Sequence, residues 1–246
     1  MGVFSRGRYK SRYAENAADL SAAQALRFLS FRGDDTETGF DADQFDSTAV
    51  HVLIEDTREN RLAGCFRFIP LKDGSEINRT YSAQYYELSA LEAFDGPIVE
   101  MGRFCIAPEY QGDADILRVA WGAMTRYVDE NGVELLCGCS SFSGTEAEAY
   151  MDAFALLKDR HLAPKRWLPR VKAPKVFRFA KALRLRKPDL KNAQKKMPPL
   201  LRSYLVMGGW VSDHAVVDND LNTLHVFTGL EIKGIPPARA RLLRAT

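Results

Sequence analysis

Residues 98 to 141 spell a strand, a helix and a second strand in close succession, which restricts the chain to folds that lay a helix across a sheet. The first strand, Ile98 to Ala107, is apolar except for an acid, Glu100, and a base, Arg103. Asp113 is a suitable N-cap for a helix through Tyr127, whose apolar positions Ile116, Val119, Ala120, Ala123 and Met124 keep helical spacing. Glu134 to Ser141 is the returning strand. Burying a carboxylate in a strand is costly unless it is paired or neutralised, so Glu100 and Arg103 are either a structural ion pair or part of a site. Residues 100 and 103 of a regular strand face opposite ways; a bulge at Gly102 would reverse the alternation and expose backbone N–H groups.

Upstream, Leu20, Ala23, Leu26, Phe28 and Phe31 predict a first helix within residues 12 to 31. An acidic, aperiodic loop follows over 33 to 48, carrying Asp41, Asp43 and Asp46 with Phe40 and Phe45 as anchors. Val50 to Ile54 and Leu62 to Ile69 read as a hairpin, Thr145 to Leu157 as a helix, and Leu200 to Val211 and Asn222 to Leu230 as strand-like additions. The fold class is therefore α/β, one mixed twisted sheet flanked by helices. A core over residues 1–157, a basic segment over 158–199 and C-terminal strands over 200–246 complete one domain.

The formal charge of +2 conceals a polarity. Between Lys158 and Arg202 lie 16 of the 34 Lys and Arg residues against Asp159 and Asp189 alone, so this stretch carries +14 and the rest −12. An acidic partner fits such asymmetry: a carrier protein, anionic lipid or nucleic acid. Nucleic acid is disfavoured, because no recognised binding motif accompanies the charge. No apolar run approaches a membrane span and the N-terminus lacks a signal-peptide core, so cytoplasmic residence is expected, with peripheral contact on the inner face of the membrane open. Cys65, Cys105, Cys137 and Cys139 lie in apolar runs, as reduced core thiols do, and their spacing gives no metal site.

Glu100-Met-Gly-Arg103-Phe-Cys-Ile-Ala-Pro108 resembles the corresponding strand of acyl-homoserine-lactone synthases, and more closely that of bacterial ornithine acyl-carrier-protein N-acyltransferases. Further matches occur in the family's order: Ala25-Leu26-Arg27-Phe28, Asp43-Gln44-Phe45-Asp46, His51-Val52-Leu53, Gly138-Cys139-Ser140-Ser141-Phe142, Pro198 to Leu205, Gly208 to Val211 and Asp213 to Asp218. The resemblance implies a GNAT-like acyltransferase core and transfer of a 3-hydroxyacyl group from acyl carrier protein to the α-amine of ornithine, giving lyso-ornithine lipid. The same chemistry on glutamine or another amino acid, and a non-catalytic lipid- or carrier-binding protein, are the alternatives.

Carried over residue by residue, it makes Glu100 the general base, with His51, which titrates near neutrality, sharing or replacing it. Substrate contacts fall to Arg27, Phe31, Asp43, Asp46, Arg67, Arg103 and Ser140. The oxyanion and pantetheine are met by Gly102, Phe104, Cys105, Gln111 and Gly112. Tyr150 is either a proton donor to the leaving thiolate or an ordinary packing residue. No bound cofactor is expected, since phosphopantetheine arrives on the carrier. The turn Pro108 to Asp113 has one glycine and two acids, unlike a coenzyme A diphosphate loop, which favours a carrier protein as donor. Its dock is expected at Lys165, Arg166, Arg170, Lys172, Lys175 and Arg178.

Overall fold

Strands β1 (Phe4–Arg6) and β2 (Tyr9–Tyr13) form an antiparallel pair where helical periodicity alone extends the first helix back to residue 12. The helix, α1, covers Ala17–Phe31 and starts where Asn16 caps it, its side chain accepting the Asp19 N–H at 3.0 Å. In this computed structural model, which describes residues 4–33 and 39–245, the chain divides into two compact units. One contains Met1–Pro70, Val99–Val133 and Pro237–Thr246; the other contains Leu71–Ile98 and Glu134–Pro236. The expected loop over 33 to 48 lies partly outside the described residues.

In the first unit, β3 (Val50–Asp56) and β4 (Arg61–Leu71) make the expected antiparallel hairpin, turning through Asn60 at a positive φ of 51°. β2 pairs with the outer side of β3, and β5 (Ile98–Ile106) lies beside β4. The approach of β5 is close at Gly64, where a Cβ would stand 2.9 Å from the Cys105 carbonyl oxygen. Helix α2 (Ala114–Asn131) is capped by Asp113, which accepts the Asp115 N–H at 2.9 Å, and ends at Gly132 in the left-handed region. It buries Ile116, Val119, Ala120, Ala123, Met124, Tyr127 and Val128 at helical spacing, and Trp121 and Gly122 widen the buried surface beyond that stripe.

The second unit is built on β6 (Leu135–Ser143), helix α3 (Met151–Arg160), the short helices α4 (Phe179–Ala182), α5 (Leu190–Lys196) and α6 (Pro199–Val206), and strands β7 (Ala215–Asp218) and β8 (Thr223–Glu231). β8 runs antiparallel to both β6 and β7. Phe142, Phe154, Phe179, Leu201 and Val226 meet in its core. Residues 200 to 211 are not strand-like throughout: Pro199 presets the first turn of α6, and Leu201, Tyr204 and Leu205 form its buried stripe before a two-residue strand at Trp210–Val211. Helix α7 (Pro237–Ala245) returns the chain to the first unit, where Arg244 pairs with Asp129 at 2.8 Å. Both units are α/β, sheet with helices, as the strand–helix–strand text requires.

His225 on β8 is 2% exposed, and the Tyr86 hydroxyl donates to its backbone carbonyl at 2.7 Å. Burial, with the nearby His214, depresses its pKa to about 3. An unfolded chain binds a proton there near pH 6.5 while the folded chain does not, so this contribution to stability is intact above about pH 6.5 and is lost as pH falls towards 3. The expected slope reaches roughly 1.4 kcal/mol per pH unit between those limits. Urea melts at stepped pH should show it, and His225→Asn should flatten it; an unchanged slope in the variant would count against buried neutral His225.

Candidate active site

Arg27 falls on the same face of α1 as Ala23 and Leu26, the stripe turned inward, so a guanidinium is carried into the interior with 1% exposure. Such a group is tolerable only if each N–H finds an anion. Its Nε donates to Asp41 Oδ2 at 2.9 Å and its Nη1 to Asp46 Oδ1 at 2.7 Å. Arg67, on β4, holds Asp43 with two hydrogen bonds of 2.6 and 2.7 Å and also donates to Asp46. From β5, Arg103 donates to Asp41 at 2.8 Å and to Asp43 at 3.2 Å. Three arginines and three aspartates thus alternate in one closed lattice, with Gln24 Nε2 on Asp46 at 2.9 Å and Arg32 on Asp41 at 3.4 Å.

Electrostatics follow from this pairing. Burial pushes the Asp46 carboxyl up, but hydrogen bonds from Arg27 and Gln24 and the charges of Arg27 and Arg67 overcome it, leaving the group well below the ordinary carboxylate range. Asp41 behaves alike, burial being outweighed by Arg103 and Arg27. Arg27 in turn is held charged, because its aspartates outweigh its own burial.

His51 stands directly opposite Arg67 in the β3–β4 register, which puts both on one face of the sheet. Its Nε2 lies 3.0 Å from the Asp46 backbone carbonyl. A carbonyl can only accept, so the proton sits on Nε2 and the Nδ1 lone pair is the ring's acceptor. Burial lowers the His51 pKa more than the Asp46 carbonyl and carboxylate raise it, and Arg27 and Arg67 lower it further, so the imidazole is neutral at pH 7.

Gly102, where a bulge is expected, is not the residue of β5 with unusual backbone. Arg103, not Gly102, takes the left-handed conformation, with φ of 53°. A non-glycine there is strained by roughly 1–2 kcal/mol, and the ion pairs to Asp41 and Asp43 hold it. Glycine would fit the backbone but could not reach the lattice. Glu100, three residues earlier, is 1% exposed.

Arg27, Asp43, Asp46, His51, Arg67 and Arg103 therefore converge as a set. Asp41, Gln24 and Arg32 join it, although only Asp41 had drawn notice, as a loop acid. The recoverable signal was the Asp-x-Asp spacing of 41 and 43 ahead of Asp46. Phe45 lies beneath the Arg67 guanidinium, 5.7 Å from ring centroid to carbon, whereas Phe40 is 63% exposed and is not the buried anchor expected. Phe31 ends α1, half-buried. Phe104 and Gly102 are half-buried on β5, and Gln111 and Gly112 are exposed in the turn before α2. The Cys105 thiol turns into the core, 3.4 Å from Cys65 Sγ; their hydrogen bond and burial keep the Cys65 thiol protonated.

At the start of α2 the Asp113 carboxylate accepts the Tyr9 hydroxyl at 2.7 Å, and Asp115 pairs with Arg118 at 2.7 Å. In the second unit, Ser140 accepts a hydrogen bond from Thr228 at 2.9 Å, and Tyr150 donates to the Ser143 carbonyl at 2.7 Å. Lys165, Arg166, Arg170, Lys172, Lys175 and Arg178 are all exposed. Among them Lys172 is tied to the Ala83 carbonyl at 2.6 Å, and Arg166 lies over the Trp167 ring and 3.3 Å from Glu231.

Similarity to known proteins extends along most of the chain. The model of the acetyltransferase (GNAT) domain matches residues 26–121, the segment that contributes every member of the lattice except Gln24. An L-ornithine N(alpha)-acyltransferase of Rhodobacter capsulatus is 32% identical over 231 residues, 89% of this chain and 88% of that one. A second, from Agrobacterium fabrum, is 28% identical over 250 residues, 95% and 85% of the two chains. The solved N-acyl amino acid synthase from uncultured soil microbes aligns over 92% of each chain at 10% identity, with a TM-score of 0.49. The R. capsulatus relative is more than 30% identical with over two thirds of both sequences covered, and the chain belongs to the L-ornithine N(alpha)-acyltransferase family.

Proposed function

We propose that the protein transfers a 3-hydroxyacyl group from the phosphopantetheine thiol of acyl carrier protein to the α-amine of L-ornithine, yielding an amide and the free carrier thiol. The observation that carries this reading is His51 set on the same sheet face as Arg67, beside paired charges of both signs, with Nε2 engaged by the Asp46 carbonyl and Nδ1 left as the ring's acceptor. The acceptor is supported by the names of the relatives from R. capsulatus and A. fabrum.

An amino acid's α-amine must lose a proton before it attacks a thioester. The Nδ1 lone pair of His51 takes that proton, since a base already neutral at working pH needs no prior deprotonation. Glu100 is the second candidate for this role, acting directly or through water. Attack breaks the carbonyl π bond, and backbone N–H groups where β5 bends at Arg103 meet the oxyanion. Collapse expels the pantetheine thiolate, which regains a proton. Asp43, with a side-chain exposure of 19%, is the most open of the three aspartates and receives the side-chain ammonium of ornithine, while Arg103 turns towards its carboxylate. The carrier, rather than coenzyme A, is favoured as donor because the N-terminus of α2 already holds Asp113 and Asp115, whose charges oppose a diphosphate. The exposed cations from Lys165 to Arg178 receive the carrier's acidic surface.

Thiol release from 3-hydroxyacyl carrier protein, followed with each amino acid in turn and the product identified by mass, tests the proposal. Ornithine should give the largest stimulation and an N(alpha)-acyl product. Failure of every amino acid to stimulate release would end it; stronger release with glutamine would move the acceptor but keep the chemistry.

A further inference from the structure

Leucine at 85% exposure is costly to leave in water, and Leu185 stands at that value in the loop between α4 and α5, with Leu190, at the first position of α5, 44% exposed. The display is built, not incidental. Leu183 and Ala193, on either side, are buried in the core of the second unit. Lys158 Nζ donates to the carbonyls of Leu183 and Arg186 at 2.8 and 2.9 Å. Arg186 is held by Asp152 at 2.9 Å, and the other oxygen of Asp152 accepts from Asn192 at 2.7 Å. The loop is thus pinned at both ends with two apolar side chains facing out. Around them Lys181, Arg184, Lys187, Lys191, Lys195 and Lys196 are exposed and form no ion pair among the described residues. Residues 181–196 hold seven cations and one acid, and that acid, Asp189, is spent capping α5.

We propose that this loop and helix form a docking surface for an anionic phospholipid membrane. Apolar tips enter the boundary between headgroups and acyl chains, and the surrounding ammonium and guanidinium groups stay with the headgroup phosphates. An acidic protein helix would satisfy the cations but would leave Leu185 facing carboxylates. A lipid surface satisfies both sets of groups. The segment lies beyond the cations assigned to the carrier, Lys165 to Arg178, so the two surfaces are separable by mutation. No helix among the described residues is long and apolar enough to cross a membrane, so the contact is one of lying on the surface.

Flotation of the full chain with phosphatidylcholine vesicles, and with equimolar phosphatidylcholine and phosphatidylglycerol, is the test. Binding should require the anionic lipid and weaken with salt. Leu185→Ser with Leu190→Ser, and separately Lys187→Glu with Lys191→Glu, should each lower partitioning roughly tenfold or more, with turnover on soluble carrier-bound substrate unchanged. Equal binding to neutral vesicles, or both variants binding as the parent does, would overturn the proposal. So would variants that raise the KM for acyl carrier protein and leave vesicle binding intact, since the segment would then serve the carrier.

Discussion

His51→Gln is expected to lower kcat by roughly 10²- to 10⁴-fold, the usual contribution of a positioned general base, with the fold unchanged. Glutamine can keep the hydrogen bond that His51 Nε2 makes to the Asp46 carbonyl, but it has no basic lone pair to accept the amine's proton. Because burial and the two arginines depress the His51 pKa, protonation should cut activity only below about pH 6.5, and the acid limb of kcat/KM should disappear in the variant. Glu100→Gln provides the control. If it removes activity and the acid limb while His51→Gln retains both, the proton goes to the carboxylate and the assignment to His51 is wrong. Steady-state kinetics across pH on both variants, with circular dichroism to verify folding, decide between the two bases.

Arg27→Ala is expected to cost about 3–5 kcal/mol, because removing one member of a buried ion lattice leaves the others charged and short of partners. For a chain of this size that corresponds to a fall in melting temperature of roughly 6–20 °C. The loss should depend on pH in a defined direction. Asp41 and Asp46 have depressed carboxyl pKa values, so the stability they supply is intact above about pH 4 and disappears as the pH falls through their folded values. The difference between wild type and variant should therefore be full at pH 7 and shrink in strong acid. Calorimetry at both pH values measures it. A difference below about 1 kcal/mol at pH 7 would mean that the lattice is replaceable by solvent, whatever its geometry.

The elements that the sequence made legible are those specified by their own residues. The β3–β4 hairpin joins neighbouring segments through one short turn, and the Asp113 cap and the stripe of α2 rest on residues within a few positions of one another. Residues 200 to 211 are helical over their first part, against the strand that their apolar content predicts, because Pro199 with Leu201, Tyr204 and Leu205 carries helical spacing. β1 and β2 were missed since Phe4 to Tyr13 carries little alternation; their register comes from pairing with each other and with β3. At the site, Arg27 is legible only as part of the family-like run Ala25 to Phe28 and Asp41 only as one acid among several in a loop.

By itself the sequence determined that charges are written into apolar strands: Glu100 and Arg103 in β5 and Arg67 in β4. Burial of such residues is set locally, by the period of the strand or helix that carries them. Which acid each base takes was decided only by the tertiary structure. Arg103 meets Asp41 across 62 positions and Arg67 meets Asp43 across 24, so the choice depends on how the loop folds back over the sheet. No local rule encodes it, because any of the three aspartates offers the same carboxylate and only position in space distinguishes them.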